Sequence, residues 1–209
     1  MPLFRITPPA IEPVSLADMY NQSRIIDHFD DSLLQVYIPA ARAYAENYCR
    51  RSFITQQWRL VLDSFPGRQM GGYASYGETY SMPDNAVLLE RGDVQSVDSI
   101  TYIAMDGSTQ TANPPDYIAE ISGNPARVAP AFGKIWPISL PQIGAVKVNF
   151  TAGYGVTAAS VPEGIRHWIQ MRVATMYENR EEVAILLRGK IEPLPFVDSL
   201  LDPYVVVTA

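Results

Sequence analysis

His28 and His167 are the only histidines of this chain, and they bound the acid–base and metal chemistry open to it. Glu163 and His167 stand at i,i+4 on one helix face, the spacing at which a zinc-binding helix presents two ligands. The second histidine is missing, so a capping or surface contact is the better reading. No serine lies in a G-x-S-x-G turn, which removes the usual presentation of a hydrolase nucleophile. Cys49 is a lone thiol on the Tyr48 side of an alanine-rich helix, where a small buried filler explains it better than a nucleophile does. Asp30-Asp31 and Glu181-Glu182 are adjacent carboxylates, but neighbours in sequence do not face each other on a helix. They read as helix-end or solvated groups and not as acid–base pairs. Gly71-Gly72 lacks a following Lys-Ser/Thr, and Gly153-Tyr154-Gly155 lacks both a third glycine and a βαβ setting, so both are turns and not phosphate cradles. No catalytic, cofactor-binding or metal-binding residue emerges, and the chain reads as non-enzymatic.

Composition narrows the partners. The 209 residues are 47% hydrophobic and 18% charged, enough to bury one good core or two small ones. The formal net charge is −6, with a pI near 4.9, so a surface that grips phosphates is not expected. DNA passing an acidic wall needs no affinity and stays open. One cysteine permits no internal disulfide, which suits a reducing compartment. The first residues lack the basic-then-apolar pattern of a signal peptide, and no apolar run reaches the length of a membrane span. The expected location is the host cytoplasm, or a particle assembled there, with no membrane partner.

The elements follow from hydrophobic period and punctuation. Residues 1–14 carry four prolines and read as an extended arm. Ser15 and Asp18 form a capping box for a short helix over 16–25. Asp30-Asp31-Ser32 opens a long helix reaching about Arg50, with Leu34, Ile38, Ala41 and Ala45 at helical spacing and Pro39 expected to kink it. After Arg51 the period falls to two. Strands are predicted over 57–63, 87–89, 97–105, 109–112, 117–121, 126–128 and 145–151, with Asp106-Gly107 as a tight turn. Pro162 opens a second long helix to about Asn179, and a last short helix spans 196–201. The expected class is α+β, a small helical bundle of two long helices plus short ones with a large antiparallel β insertion, a barrel or sandwich. The expected domains are the arm 1–14, a helical bundle from 15–52 and 160–202, a β-rich insertion 53–159, and a β-prone tail 203–209.

Three segments are surplus to such a fold: the proline-rich arm, a glycine-rich loop with Tyr73, Tyr76 and Tyr80, and the tail Tyr204-Val205-Val206-Val207-Thr208. Arg68 is the only cation near those tyrosines, so a protein interface suits them better than base stacking. A subunit that touches several neighbours has use for segments of this kind.

At this point the order of blocks resembles the head–tail connector (adaptor) family of tailed bacteriophages. The similarity lies in Asp30 to Leu34 with Ala40 to Tyr48 and Phe53 to Trp58; in Phe150 to Gly155 with Val161 to Arg166; and in Met176 to Glu181 with Val197 to Tyr204. Asp116-Tyr117 and Trp136-Pro137 add to it, so it covers most of the chain from about residue 15. It departs at Pro39, where the pattern usually has a helix-friendly residue. The resemblance implies a structural protein of the virion neck, a ring beneath the portal protein that extends the DNA channel and docks the stopper or tail-completion protein. It also implies self-association, as a dodecamer matching the portal, and DNA passing without sequence-specific contact. Within that frame Tyr204 to Thr208 are expected to contact the portal or a neighbour by β-augmentation, and Tyr73, Tyr76 and Tyr80 to form a loop interface. The alternative is a β-rich module that binds sugar or nucleic acid, with helical flanks; it requires a concave aromatic site.

Overall fold

The computed structural model describes residues 2–66, 85–180 and 195–206. The described residues divide into two compact units, one of 2–8, 56–66 and 85–152, the other of 9–55, 153–180 and 195–206.

The helical unit begins with α1 (Leu16–Ser23). Its capping box forms as the sequence requires: the Ser15 hydroxyl accepts from the Asp18 amide, and the Asp18 carboxylate accepts from the Ser15 amide. The long helix α2 (Asp31–Cys49) continues through Pro39, whose ring removes the amide that would have bonded to the Gln35 carbonyl. Its end is a left-handed turn at Arg50 (φ 52°), where the amide of Arg51 donates to the Glu46 carbonyl at 3.1 Å. With α3 (Glu163–Glu178) and the short α4 (Pro195–Ser199) it closes one core. Leu34, Ile38, Ala41, Ala45 and Cys49 of α2 meet Ile165, Trp168, Ile169 and Val173 of α3 there, joined by Phe53, Ile54 and Leu201. Trp168 is wholly buried, and its indole N–H donates to Asp198 at 3.1 Å. Tyr44 stacks flat against that indole at 5.7 Å.

The β unit holds two antiparallel sheets over a second core. The larger sheet has the order β1 (Leu3–Thr7), β2 (Gln56–Leu62), β8 (Val146–Ala152), β4 (Val94–Ile103), β5 (Thr109–Thr111). The smaller has β3 (Val87–Leu89), β7 (Ala126–Pro130) and β6 (Tyr117–Glu120). Strands β2 and β8 share one alternation of buried and half-open residues, in the register Trp58↔Phe150, Leu60↔Val148, Leu62↔Val146. The inward set meets Val87, Leu89, Ala126 and Val128 of the smaller sheet. This is a sandwich, since two sheets face one core. The β4–β5 hairpin turns at Asp106-Gly107, where Gly107 takes φ 84°.

Two boundaries differ from the sequence reading. Residues 3–7 are not a free arm but the edge strand of the larger sheet, with Leu3 opposite Leu60 and Phe4 opposite Arg59. The prolines at 2 and 8 bracket the strand without interrupting it, a position strands tolerate. The β unit ends at Ala152 and not at 159, because Gly153 leaves the sheet with φ 145° and runs against Ile54 and Thr55.

Candidate interaction surfaces

Cys49 is fully buried, its sulfur 3.9 Å from the Leu201 carbonyl. Glu163 is paired loosely with Arg166 at 3.4 Å on the surface of α3. No group of three or more His, Cys, Asp or Glu among the described residues is arranged to hold a metal ion. None of the described helices is long and apolar enough to cross a membrane.

The polar clusters that do exist tie elements together. Arg42 and Glu46, 6% and 2% exposed, lie one turn apart on the buried side of α2. The guanidinium donates to Glu46 at 2.7 Å and to Glu12 at 2.7 Å, and Glu46 accepts from the Phe53 amide at 2.9 Å. One network therefore fixes the segment before α1, the middle of α2 and the chain after it. A second cluster fixes the α1–α2 turn to the end of α3. Asp30 accepts from Tyr177 at 2.8 Å and from Arg180 at 2.6 Å. Those two donors, Arg180 first, hold the Asp30 carboxyl below its ordinary range. Tyr20 donates to Asp31, and that hydrogen bond together with burial pushes the phenol up to about 12. His28 sits edge-on to Tyr20, with Nδ1 2.8 Å from the hydroxyl. The turn so braced carries Ile26 and Phe29 almost wholly in solvent.

The β unit presents a cleft of about 380 Å³ lined by Tyr102, Asp116, Tyr117, Lys134, Trp136 and neighbouring residues. Its rings serve packing: Phe65 stacks on Trp136 at 4.6 Å and meets Tyr102 edge-on, while the Trp136 N–H donates to the Asn85 carbonyl at 2.6 Å. Lys134 pairs with Asp116 at 3.0 Å at the rim and, with Asn113, draws the carboxyl down. Beside the cleft, the loop before β8 exposes several large apolar side chains that the sequence reading did not single out. The sequence signal was available in Phe132, Ile135, Ile138 and Ile143, which are apolar residues outside any periodic element.

Of the residues expected to form interfaces, Tyr73, Tyr76 and Tyr80 fall outside the described residues, as do Val207 and Thr208. The first three tail positions form no strand. Asp202–Tyr204 is a 3-10 turn, with Pro203 supplying its fixed φ. The Tyr204 carbonyl accepts from Arg51, the Val206 amide donates to the Cys49 carbonyl at 3.0 Å, and Val206 is buried. Tyr48 adds a 2.9 Å bond to Asp202. Buried valine and used backbone groups thus clip 204–206 to the end of α2 in their own chain.

Residues 13–88 match the model of the phage gp6-like head-tail connector protein family. No curated protein sequence matches the chain. Among solved structures, a chain in the neck of an empty GTA particle, computed with C6 symmetry, has a TM-score of 0.75 at 19% identity. A chain of the virion of the native gene transfer agent (GTA) particle has 0.74 at 20%, and one in the neck of the native particle, computed with C12 symmetry, 0.67 at 20%. Each likeness covers 100% of this chain and 97% of the other. The α+β fold read from the sequence is therefore the fold of these neck chains.

Proposed function

We propose that this chain is a structural head–tail adaptor that forms a ring beneath a portal protein, lengthens the DNA channel and offers a platform to the stopper or tail-completion protein. The observation that carries the reading is the conjunction of the connector match over 13–88 with a neck-protein fold spanning the whole chain. The C6 and C12 symmetries of those particles favour a ring, and twelve copies would match a dodecameric portal. The net charge of −6 suits a channel through which DNA slides without being held. Assembly in the host cytoplasm and residence in the virion neck follow from the same reading.

Mixing the full chain with a candidate portal and imaging the product by electron microscopy tests it. Rings seated coaxially on the portal are expected; no binding at saturating concentration refutes it. The portal contact is assigned to the tail, Tyr204 to Thr208. Val206 is buried and 204–206 are clipped to α2, so truncation after Val206 probes the contact without opening the core. Unchanged portal affinity would exclude residues 207–209 from that contact. The Tyr73, Tyr76 and Tyr80 loop is assigned to a subunit or lumen-facing contact, which predicts slower hydrogen exchange there in the ring than in the monomer.

The cleft beside Tyr102, Tyr117 and Trp136 favours a second reading, a β-rich module that binds sugar or nucleic acid. It predicts saturable changes in tryptophan fluorescence when the monomer is titrated with oligosaccharides or oligonucleotides. The adaptor predicts none.

A further inference from the structure

In the β unit the loop between β7 and β8 turns its apolar side chains outward. Phe132 is 103% exposed, Ile135 85%, Ile138 76% and Ile143 92%. Large apolar residues exposed singly need no explanation, but four on one loop of thirteen residues do. The loop is also held firmly. The Ala131 amide donates to the Asp116 carbonyl at 3.0 Å, the Leu140 amide to the Ile103 carbonyl at 2.8 Å, and Ser139 bridges to Ala104. Trp136 anchors its centre against Phe65 and Asn85. The exposed side chains are therefore displayed on fixed backbone, which lowers the ordering cost of docking them.

The charge pattern indicates what docks there. From Ile121 to Ala152 there is no Asp or Glu, while Arg127, Lys134 and Lys147 are present. The chain total is −6, so these three cations leave −9 for the rest. Lys134 and Arg127 are themselves matched by Asp116 at 3.0 Å and Glu120 at 3.6 Å, so the loop shows no unmatched carboxylate. Copies of so acidic a chain repel one another over most of their surface. An apolar patch free of unmatched negative charge is where two copies can approach. The four side chains expose on the order of 600 Å², close to the ~800 Å² per partner of a standard interface.

We infer that the loop from Ala131 to Ile143 is a contact between copies of this chain, its apolar side chains seating on the next copy. This deepens the adaptor reading and rests on it for the ring, since a patch that meets a different surface of the next copy generates a ring only when the rotation between copies closes.

The test is sedimentation velocity of the full chain over a series of concentrations, with wild type compared with Phe132→Ser/Ile138→Ser. Both positions are solvent-exposed, so circular dichroism and the melting midpoint should not change. The wild-type sedimentation coefficient is expected to rise with concentration, more steeply as salt screens the repulsion between acidic copies. The double variant is expected to lower the association constant by about tenfold or more. Equal association of variant and wild type overturns the inference. So does a wild type that stays monomeric up to its solubility limit. A variant that self-associates normally but fails to bind a portal also overturns it, by assigning the loop to the other partner. The adaptor reading itself stands or falls on wild-type portal binding, which is measured separately.

Discussion

Replacing Arg42 by methionine keeps most of the aliphatic volume and deletes the charge at the centre of the helical unit's ion network. In the native protein the guanidinium lies 2.7 Å from Glu46 and 2.7 Å from Glu12, with Arg42 6% and Glu46 2% exposed. The surroundings exclude water, so the carboxylate of Glu46 cannot regain by hydration what it loses with its cation. Breaking a buried pair by removing one member costs about 3–5 kcal/mol, against 0–1 kcal/mol for a surface pair. Glu46 keeps the 2.9 Å bond from the Phe53 amide, which places the expected loss toward the lower end, about 3 kcal/mol. For a chain of this size that is a fall of roughly 6–12 °C in the melting midpoint. Far-UV circular dichroism reports the helical unit and suits the measurement. Glu46→Gln added to Arg42→Met removes the buried charge while leaving an acceptor for the Phe53 amide, so the double variant should recover a large part of the loss. A double-mutant cycle isolates this coupling. A loss below about 1 kcal/mol for Arg42→Met, or strict additivity in the cycle, would refute the argument that the network is a desolvated brace.

Gly153→Ala places a Cβ 2.7 Å from the Ile54 carbonyl carbon and the Thr55 amide nitrogen, at φ 145°, so the backbone must shift. A loss of about 1–3 kcal/mol is expected in urea denaturation, and a neutral result would mean that the close approach is dispensable. The Asp30 carboxyl is held below its ordinary value by Arg180 and Tyr177, so it contributes stability above the unfolded-state pKa. That contribution is lost as pH falls through the lower folded pKa. Arg180→Ala should raise the Asp30 pKa in an NMR titration and start the acid loss of stability at higher pH; an unmoved titration contradicts the assignment.

Much of the architecture was legible in the sequence because its signals are local. The Ser15–Asp18 capping box, the 3.6-residue spacing of Leu34, Ile38, Ala41 and Ala45, and the alternation in 145–151 each declare an element through residues close in the chain. The absence of a second histidine on the helix face of Glu163 and His167, and of a nucleophile turn, is likewise readable directly. The head–tail connector resemblance came from the order of such blocks, and the match over 13–88 bears it out.

Tertiary structure decided what depends on distant partners. A proline-flanked segment reads the same whether it hangs free or pairs at a sheet edge, and only the presence of β2 made residues 3–7 a strand. A valine-rich tail reads as β-prone, yet the hydrogen bond to the Cys49 carbonyl and the burial of Val206 hold its first residues at the end of α2. Arg42 and Glu46 stand four residues apart, a spacing that says nothing of burial; packing around α2 buried them and made the pair a brace. The aliphatic residues of the β7–β8 loop have no period and so no sequence-level face. Their exposure follows from backbone tethers to Asp116, Ile103 and Ala104, which no local pattern encodes.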